Sequence, residues 1–207
     1  MGRLITFEGG EGAGKSSQLA RLAHRLRGEG RDVVTTREPG GCPFAEALRR
    51  LLVQGQPGEM TDKTELLLML AARIEHVRQV IAPALQRGSW VLCDRFLDST
   101  LAYQGHGRGM DLALLHHWHD WALGPLLPDR TLLLDVPPEI GLQRSGRSHL
   151  ESRFEQESLA FHQRVREGFH ALAAESPGRI RLIDANQSPE QVEQQIGVAL
   201  GDLFSDA

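Results

Sequence analysis

The chain has 207 residues, 41% of them hydrophobic, and a formal net charge of −4. This length and composition predict one globular domain, and the slightly acidic balance argues against a protein that coats a nucleic acid polymer. No apolar run is close to the length of about 18 residues that a membrane-spanning helix needs. With two cysteines and no pattern typical of a signal peptide, we expect a reduced, cytoplasmic protein that does not bind a membrane.

Short apolar runs alternate with longer helical patterns along the chain. The predicted strands are Leu4–Glu8, Asp32–Thr36, Trp90–Asp94, Thr131–Val136 and Arg179–Asp184. The predicted helices are Lys15–Gly28, Phe44–Val53, Lys63–Arg87, Asp111–Leu123, Glu139–Arg144, Phe154–Glu175 and Pro189–Phe204. Because the strands are rich in Val, Ile and Leu and lack polar alternation, we expect them to be buried on both faces. The pattern predicts a three-layer α/β fold with a five-stranded parallel sheet, and a mobile polar loop over residues 145–153.

The strongest motif follows the first predicted strand, where residues 9–16 read G-x-x-x-x-G-K-[ST] and lead into the first predicted helix. Its glycines let successive backbone N–H groups face a bound anion, and the helix N-terminus adds its dipole. The motif predicts a P-loop, with Lys15 reaching the β- and γ-phosphates of a nucleoside triphosphate and the Ser16 hydroxyl facing Mg²⁺. The residues expected to hold the triphosphate are Gly10, Glu11, Gly12, Ala13, Gly14, Lys15, Ser16 and Ser17.

A P-loop is compatible with a motor or GTP switch, a nucleotide-binding regulator, or a small-molecule kinase. The guanine-recognition tetrapeptide Asn-Lys-x-Asp is absent, and no Asp is followed three positions later by Gly. A DNA motor normally needs a longer chain with a basic face. The kinase interpretation is therefore favoured over the others.

A second polar cluster follows the third predicted strand, which ends in Asp94 and Arg95. A carboxylate at this edge of a P-loop sheet can hold Mg²⁺ or pair with a basic group, while Arg95 is placed to bind a second phosphate. An ion pair that only caps the strand is the alternative. Residues 98–105 then supply hydroxyls, an amide and the single tyrosine, which are the groups that a nucleoside pocket needs.

Taken in order, these motifs resemble those of the bacterial thymidylate kinase family, P-loop enzymes that phosphorylate dTMP with ATP. The resemblance spans essentially the whole chain, and its motifs lie at residues 7–16, 36–41, 71–73, 94–95, 99–105 and 153–157. It implies direct transfer from MgATP to dTMP, giving dTDP for dTTP synthesis, by a homodimer. Another nucleoside monophosphate kinase, or a P-loop regulator without kinase activity, remains an alternative.

The resemblance also implies roles for residues around the phosphate and sugar of dTMP. Arg37, Arg49 and Arg95 match positions that grip the monophosphate, and three guanidiniums can orient such a dianion for in-line attack. Glu11 matches an acidic residue near the sugar 3′-hydroxyl. Tyr103 matches a residue whose ring crowds the 2′ position and so disfavours ribonucleotides.

Around the base, Arg73 and Gln104 match the residues that bind the edge of thymine, Ser99 and Thr100 support that edge, and Pro39 shapes the wall. One position departs from the family pattern. Most relatives have a Phe that stacks on thymine where this chain has Met69. Methionine can still make a sulfur–aromatic contact there, although it defines the shape of the pocket less sharply.

The predicted loop over residues 145–153 corresponds to a lid that closes over ATP in the family, although its composition alone also suits a solvated loop. Bacterial members carry a catalytic arginine in this lid, and the P-loop here contains none. Arg153 is the first candidate and Arg147 the second, while Ser152 replaces the Asp that relatives often have there. We expect Arg144 to bind ATP. Asp94 and Ser16 are expected to hold Mg²⁺. The expected catalytic residues are Lys15, Arg95, Arg147 and Arg153.

Overall fold

The computed structural model describes residues 2–146 and 152–204. Its strands are β1 (Arg3–Glu8), β2 (Val33–Arg37), β3 (Trp90–Asp94), β4 (Arg130–Asp135) and β5 (Ile180–Asp184). They form one sheet in the order β2-β3-β1-β4-β5, and all neighbouring strands are parallel. The predicted five-stranded parallel sheet is therefore confirmed.

Helices connect these strands. They are α1 (Lys15–Gly28), α2 (Pro43–Val53), α3 (Asp62–His76), α4 (Ala82–Gln86), α5 (Leu97–Thr100), α6 (Leu112–Leu123), α7 (Pro138–Ser145), α8 (Leu159–Glu175), α9 (Pro189–Ala199) and α10 (Gly201–Phe204). Two π-helical segments, Val77–Ile81 and Leu101–Gly107, continue α3 and α5.

Both faces of the sheet are buried, because successive side chains of a strand point to opposite sides. Leu4 and Val91 join an apolar cluster with α3, α6 and α8, whereas Ile5 and Leu92 join a second cluster with α1 and α9. This arrangement explains why the strand sequences show no polar alternation. It also confirms the predicted three layers.

The order of the strands places the functional motifs at one edge of the sheet. Strand β1 lies between β3 and β4, and Phe7 of β1 pairs in register with Asp94 of β3. In open parallel sheets, ligands bind outside the carboxyl ends of the strands where the order reverses. The P-loop after β1 and the Asp94–Arg95 pair after β3 consequently face each other.

Several strands and helices begin or end at residues other than those predicted. Strands β2 and β4 are each displaced by one residue from the predicted ranges, and β5 begins one residue later. The larger error concerns the helix predicted over Phe154–Glu175, which begins at Leu159. The Ser158 side chain accepts a hydrogen bond from the Phe161 N–H and so caps the helix. Phe154, outside the helix, is buried in the core.

Two predicted helices are interrupted. The segment predicted as one helix over Lys63–Arg87 widens into a π-helix at Val77–Ile81 just before Pro83. Proline has no N–H and its ring opposes the carbonyl four residues earlier, so the regular ladder cannot continue there. The last predicted helix divides at Leu200 into α9 and α10.

The helical segment formed by α5 and the π-helix over Leu101–Gly107 was not predicted. Nearly all of its residues are buried, among them Asp98, Ser99 and Gln104. A helix that is buried all round has no apolar stripe opposite a polar one, which removes the periodic signal. The sequence of this segment therefore carries no clear helical signal.

Of the lid predicted over residues 145–153, the structure describes only Ser145, Gly146, Ser152 and Arg153. Arg147, the second candidate for the catalytic arginine, lies outside the described residues. The predicted mobility of this loop stays a prediction.

Gly141 of α7 lies directly against the P-loop, and a Cβ at this position would collide with the carbonyl oxygen of Glu11. We expect Gly141→Ala to lower the free energy of unfolding by about 1–3 kcal/mol, because two backbone segments cannot separate cheaply in a packed interior. Urea denaturation measures this change.

Gly28, at the end of α1, provides the matched control because a Cβ there meets no atom within 4 Å. Gly28→Ala should leave the free energy of unfolding unchanged or raise it slightly. Equal effects of the two substitutions would contradict a tight contact between α7 and the P-loop.

Candidate active site

The P-loop forms an open turn between β1 and α1. Gly12 and Gly14 adopt positive φ angles of 63° and 84°, which side-chain-bearing residues rarely do. This conformation brings Lys15 back over the loop, where its Nζ donates to the carbonyl oxygens of Gly9 at 3.2 Å and Gly10 at 2.8 Å. Burial, together with the positive charge of Arg95, lowers the pKa of Lys15. An anion placed on this loop would therefore meet a cationic and preorganised surface.

Ser16 and Asp94 meet at the start of α1. The Ser16 hydroxyl donates to the Asp94 carboxylate at 2.6 Å, although 78 positions separate them in sequence. Among the described residues, no group of three or more His, Cys, Asp or Glu side chains is suited to hold a metal ion. A hydroxyl and a carboxylate fit the preference of Mg²⁺ for oxygen ligands, so Ser16 and Asp94 are the residues that would hold such an ion.

A cavity extends from the P-loop toward β2 and β3. The residues that line it are Glu11, Gly12, Ala13, Gly14, Lys15, Ser16, Ser17, Arg37, Glu38, Arg49, Asp94, Arg95, Arg144 and Ser145. Three of its arginines are close enough to affect one another, since burial and the positive charges of Arg37 and Arg95 lower the pKa of Arg49. The cavity therefore concentrates guanidinium groups where a phosphate dianion would compensate them.

The arginines of this cavity are held by neighbouring groups. Arg49 donates from Nη1 to the Pro39 carbonyl oxygen at 2.8 Å. Arg37 donates to both carboxylate oxygens of Glu46 at 3.1 and 3.0 Å, and Glu46 also accepts the N–H of Gly41 at 2.9 Å. These bonds fix the direction of each guanidinium, so that less conformational freedom is lost on binding.

A second cavity, of about 200 Å³, opens beside the first. It is lined by Glu11, Glu38, Pro39, Arg49, Val53, Met69, Arg73, Arg95, Phe96, Ser99, Thr100, Tyr103, Gln104, Ser152, Phe154 and Glu155. All the residues that the sequence suggested for the base and sugar are among them. Glu11, Glu38, Arg49 and Arg95 line both cavities and mark where they meet.

Arg95 lies at this junction. Its Nη1 donates to the Gly9 carbonyl oxygen at 2.8 Å and its Nη2 to Glu11 at 2.9 Å. Glu11 also accepts the Tyr103 hydroxyl at 2.9 Å. Burial alone would raise the pKa of Glu11, but Arg95 and Lys15 outweigh this effect and lower it to about 2. The P-loop, β3 and the second cavity are thus joined by one charged group.

Arg73 reaches the second cavity from α3. Its Nε donates to Glu38 at 2.6 Å, and its Nη2 donates to the Phe96 carbonyl oxygen at 3.0 Å and the Thr100 hydroxyl at 2.9 Å. The guanidinium is buried and also lies over the Phe96 ring. Three fixed hydrogen bonds leave its Nη1 as the donor available to a bound molecule.

Tyr103 closes one side of the same cavity. Its ring makes edge contacts with Phe154, Phe161 and Phe169, and burial raises the pKa of its hydroxyl well above the usual value. The hydrogen bond from its hydroxyl to Glu11 holds the ring at the junction between the cavities. Rigid side chains of this kind are suited to steric selection between sugars.

Comparison with known proteins gives a consistent family. The family model described as thymidylate kinase matches residues 7–196. A thymidylate kinase of Magnetococcus marinus is 56% identical, covering 94% of this chain and 93% of the relative, and one of Alcanivorax borkumensis is 51% identical over 94% of each. The crystal structure of thymidylate kinase from Ehrlichia chaffeensis superposes with a TM-score of 0.78 at 34% identity, covering 97% of this chain and 98% of the other.

The chain belongs to the thymidylate kinase family. The fold, the P-loop and the ordered motifs all agree with this membership, and the resemblance inferred from the sequence is confirmed.

The two lid arginines that the structure describes have different surroundings. Arg144 lines the cavity that extends from the P-loop and donates to the Ala185 carbonyl oxygen at 3.1 Å. Arg153 is buried instead, with Nη2 donating to Glu65 at 2.7 Å and Nε to the Leu52 carbonyl oxygen at 3.2 Å. The structure does not bring Arg153 to the P-loop, because the buried Glu65 carboxylate holds its charge. The catalytic role expected for Arg153 stays a prediction.

Several residues around the site escaped the sequence-based assignment. Glu38 is buried, lines both cavities, and accepts from Arg73 and from His76 at 2.9 Å. Burial opposes ionisation of Glu38, but Arg73 and His76 outweigh it and lower its pKa. Helical spacing offered a signal, since Glu65, Met69, Arg73 and His76 recur on one face of α3. Charged groups on a mostly buried face need partners, which points to a polar network.

Glu8, at the end of β1, supports the turn that carries Arg95 and Ser99. It is fully buried, accepts the Phe96 N–H at 2.7 Å, and is also bonded to the Ser99 hydroxyl. Burial, with the nearby charge of Asp98, raises the pKa of Glu8 to about 8.

This shift predicts a pH-dependent stability. The folded chain retains a proton on Glu8 that the unfolded chain releases near pH 4.5, so stability falls between about pH 4.5 and pH 8. We expect Glu8→Gln to remove up to about 1.4 kcal/mol per pH unit of this decline. Its free energy of unfolding, relative to the original chain, should therefore rise from pH 5 to pH 8. Denaturant titrations at four pH values measure the difference.

Glu139, an exposed carboxylate on α7, is the control for the loss of one acidic charge. Glu139→Gln should not reproduce the rise expected for Glu8→Gln. A difference for Glu8→Gln that stays constant between pH 5 and pH 8 would show that Glu8 ionises in the folded protein as it does in the unfolded chain.

Proposed function

We propose that the chain transfers the γ-phosphoryl group of ATP to dTMP, giving ADP and dTDP. The observation that carries the proposal is the junction of the two cavities, one containing the P-loop and the other the residues expected around a pyrimidine nucleotide. Arg49, Arg95 and Glu11 line both. The two cavities can thus hold a phosphoryl donor and an acceptor next to each other.

In this proposal the chain acts by positioning and by neutralising charge. Lys15 and the P-loop N–H groups bind the phosphates of ATP, while Arg37, Arg49 and Arg95 bind the acceptor phosphate. A phosphate dianion is already a nucleophile at neutral pH, so no strong general base is needed. Contacts that strengthen as charge moves to the transferring group accelerate the reaction.

The second cavity would bind the nucleoside of dTMP. Arg73 and Gln104 offer polar groups for the base edge, with Met69 and Pro39 forming apolar walls. Glu11 would bind the sugar 3′-hydroxyl, and the fixed Tyr103 ring would exclude a 2′-hydroxyl.

We propose Mg²⁺ as the accompanying cation. Ser16 and Asp94 would hold it, either directly or through water, and the ion would reduce the charge of the bound phosphates. The adjacency of a hydroxyl and a carboxylate beside the P-loop supports this assignment.

An assay of ADP release with dTMP, dUMP, CMP, GMP and AMP tests the proposal. We expect dTMP to give the highest kcat/KM, because the second cavity has groups suited to a pyrimidine deoxynucleotide. Preference for another base would establish a different nucleoside monophosphate kinase. ATP turnover without acceptor preference would favour a regulator.

The same assay with the Mg²⁺ concentration varied tests the metal. Asp94→Asn should raise the Mg²⁺ concentration needed for half-maximal rate by about tenfold or more. Glu139→Gln serves again as the charge control and should leave this concentration unchanged.

We also propose that the chain forms a homodimer. Helices α2, α3 and α6 lie side by side and carry five large apolar side chains that remain exposed, and α2 packs closely on α3. They are Phe44, Leu51, Leu67, Leu114 and Trp121. A surface of this kind is typical of subunit contacts.

Sedimentation velocity at micromolar concentration should show a dimer. Leu67→Glu should weaken it, because burying a charge in an apolar contact is unfavourable. Val198→Glu, at the exposed apolar Val198 on α9, is the control and should sediment as the original chain does. A strictly monomeric original chain would remove the proposal.

We also propose that the chain is located in the cytoplasm. Within residues 2–146 and 152–204, the structure contains no helix with the length and apolar character of a membrane span. A reduced compartment suits the two buried free cysteines, Cys42 and Cys93.

A further inference from the structure

Glu65 of α3 is a fully buried carboxylate that contacts Gln104, one of the residues lining the second cavity. It accepts hydrogen bonds from Gln104 Nε2 at 2.8 Å, from Arg153 Nη2 at 2.7 Å and from Arg108 Nη2 at 3.2 Å. A buried carboxylate is stable only when its charge is paired and its oxygens are bonded. Both oxygens of Glu65 are used in this way.

The chemistry of this contact determines which way the Gln104 amide faces. A carboxylate only accepts hydrogen bonds, so Gln104 must present its NH₂ group to Glu65. Its carbonyl oxygen then lies on the other side of the same planar amide. Gln104 lines the second cavity, and no described residue donates a hydrogen bond to its Oε1.

Arg73, which also lines the second cavity, can complement this carbonyl oxygen with a donor. Its Nε and Nη2 are bound to Glu38, Phe96 and Thr100, and no described residue accepts a bond from its Nη1. The cavity therefore presents an acceptor at Gln104 and a donor at Arg73. A base that satisfies both has a ring N–H beside a carbonyl oxygen, as thymine and uracil have.

We propose that Glu65 is a specificity-determining positioning residue that fixes the Gln104 amide and so selects thymine over cytosine. Cytosine carries a ring nitrogen lone pair and an amino group at these two positions. It would place a lone pair against the Gln104 carbonyl oxygen and N–H groups against Arg73. The inference rests on the proposed function, because it assigns the base end of the second cavity to the acceptor.

Arg108 and Arg153 fix Glu65 in turn. Arg153 donates to the Leu52 carbonyl oxygen and lies over the Phe154 ring with a distance of 4.8 Å to its centroid. Arg108 follows the π-helical segment that contains Gln104. Two guanidiniums from separate parts of the chain hold the carboxylate in one place. Arg153 is thereby a positioning residue in this arrangement.

The test measures kcat/KM for dTMP and for dCMP with the complete chain. The original chain should prefer dTMP strongly. In Glu65→Gln, the carboxamide can donate as well as accept, so Gln104 is free to turn over. We expect kcat/KM for dTMP to fall about tenfold while kcat/KM for dCMP stays level or rises, because Gln104 can then present a donor to the base in place of its acceptor. An equal loss for both nucleotides would overturn the inference in favour of a purely structural role.

Asp62→Asn is the matched control. Asp62 lies 3.5 Å from Arg108 in the first turn of α3, but it does not contact Gln104. This variant should keep the dTMP to dCMP ratio within about twofold of the original. A change as large as that of Glu65→Gln would attribute the effect to Arg108 and overturn the role of Glu65.

Two further variants keep the test decisive. Glu65→Asp retains the charge but shortens the side chain by one methylene. It should lower the ratio of kcat/KM for dTMP to that for dCMP, and it provides this test even if Glu65→Gln does not fold. In a Gln104→Ala background, adding Glu65→Gln should not change the ratio further. An additional change there would show that Glu65 acts other than through Gln104. If the original chain does not phosphorylate dTMP, the proposed function itself is wrong, which is distinct from loss of discrimination in a variant.

Discussion

The site is organised by the Arg95 guanidinium, which joins the end of β3 to the P-loop. Its bond to the Gly9 carbonyl oxygen fixes the loop after β1, and its ion pair with Glu11 fixes the boundary between the two cavities. A charge held this firmly inside the protein is costly unless each donor has a partner. The residue itself has a positive φ of 69°, which side-chain-bearing residues rarely adopt. Backbone and side chain together commit Arg95 to the junction.

Around this junction, the polar residues form buried networks and not isolated contacts. One connects Glu38 with Arg73 and His76, and another connects Glu65 with Gln104 and Arg153. Each network fixes a group that faces the second cavity. In a low-dielectric interior such hydrogen bonds are stronger than in water and strengthen one another. A site built in this way is preorganised, which is how positioning contributes to phosphoryl transfer when the protein supplies little covalent chemistry.

The contiguous features were predictable from the sequence. The P-loop is a run of adjacent residues whose spacing alone determines an anion-binding turn, and the apolar strands required a sheet covered on both faces. The resemblance also supplied residues around the base and phosphate, and the structure brings all of those in the described part of the chain to the two cavities except Arg153. Errors arose where local signals are weak. The helix after residue 96 is buried on every side, and the start of α8 depends on the cap at Ser158.

The fold class, the phosphate-binding loop and the chemical types of the residues at the site therefore follow from local sequence. The pairing of the charges follows from the packing of the folded chain. Arg153 and Glu65 are 88 positions apart, and nothing in local sequence shows that they meet or that Gln104 lies between them and the cavity. Burial removes water as a partner, so each charged or amide group must take the neighbour that the packing provides. That requirement depends on the whole fold, which is why it settles the orientation of Gln104 where a sequence motif cannot.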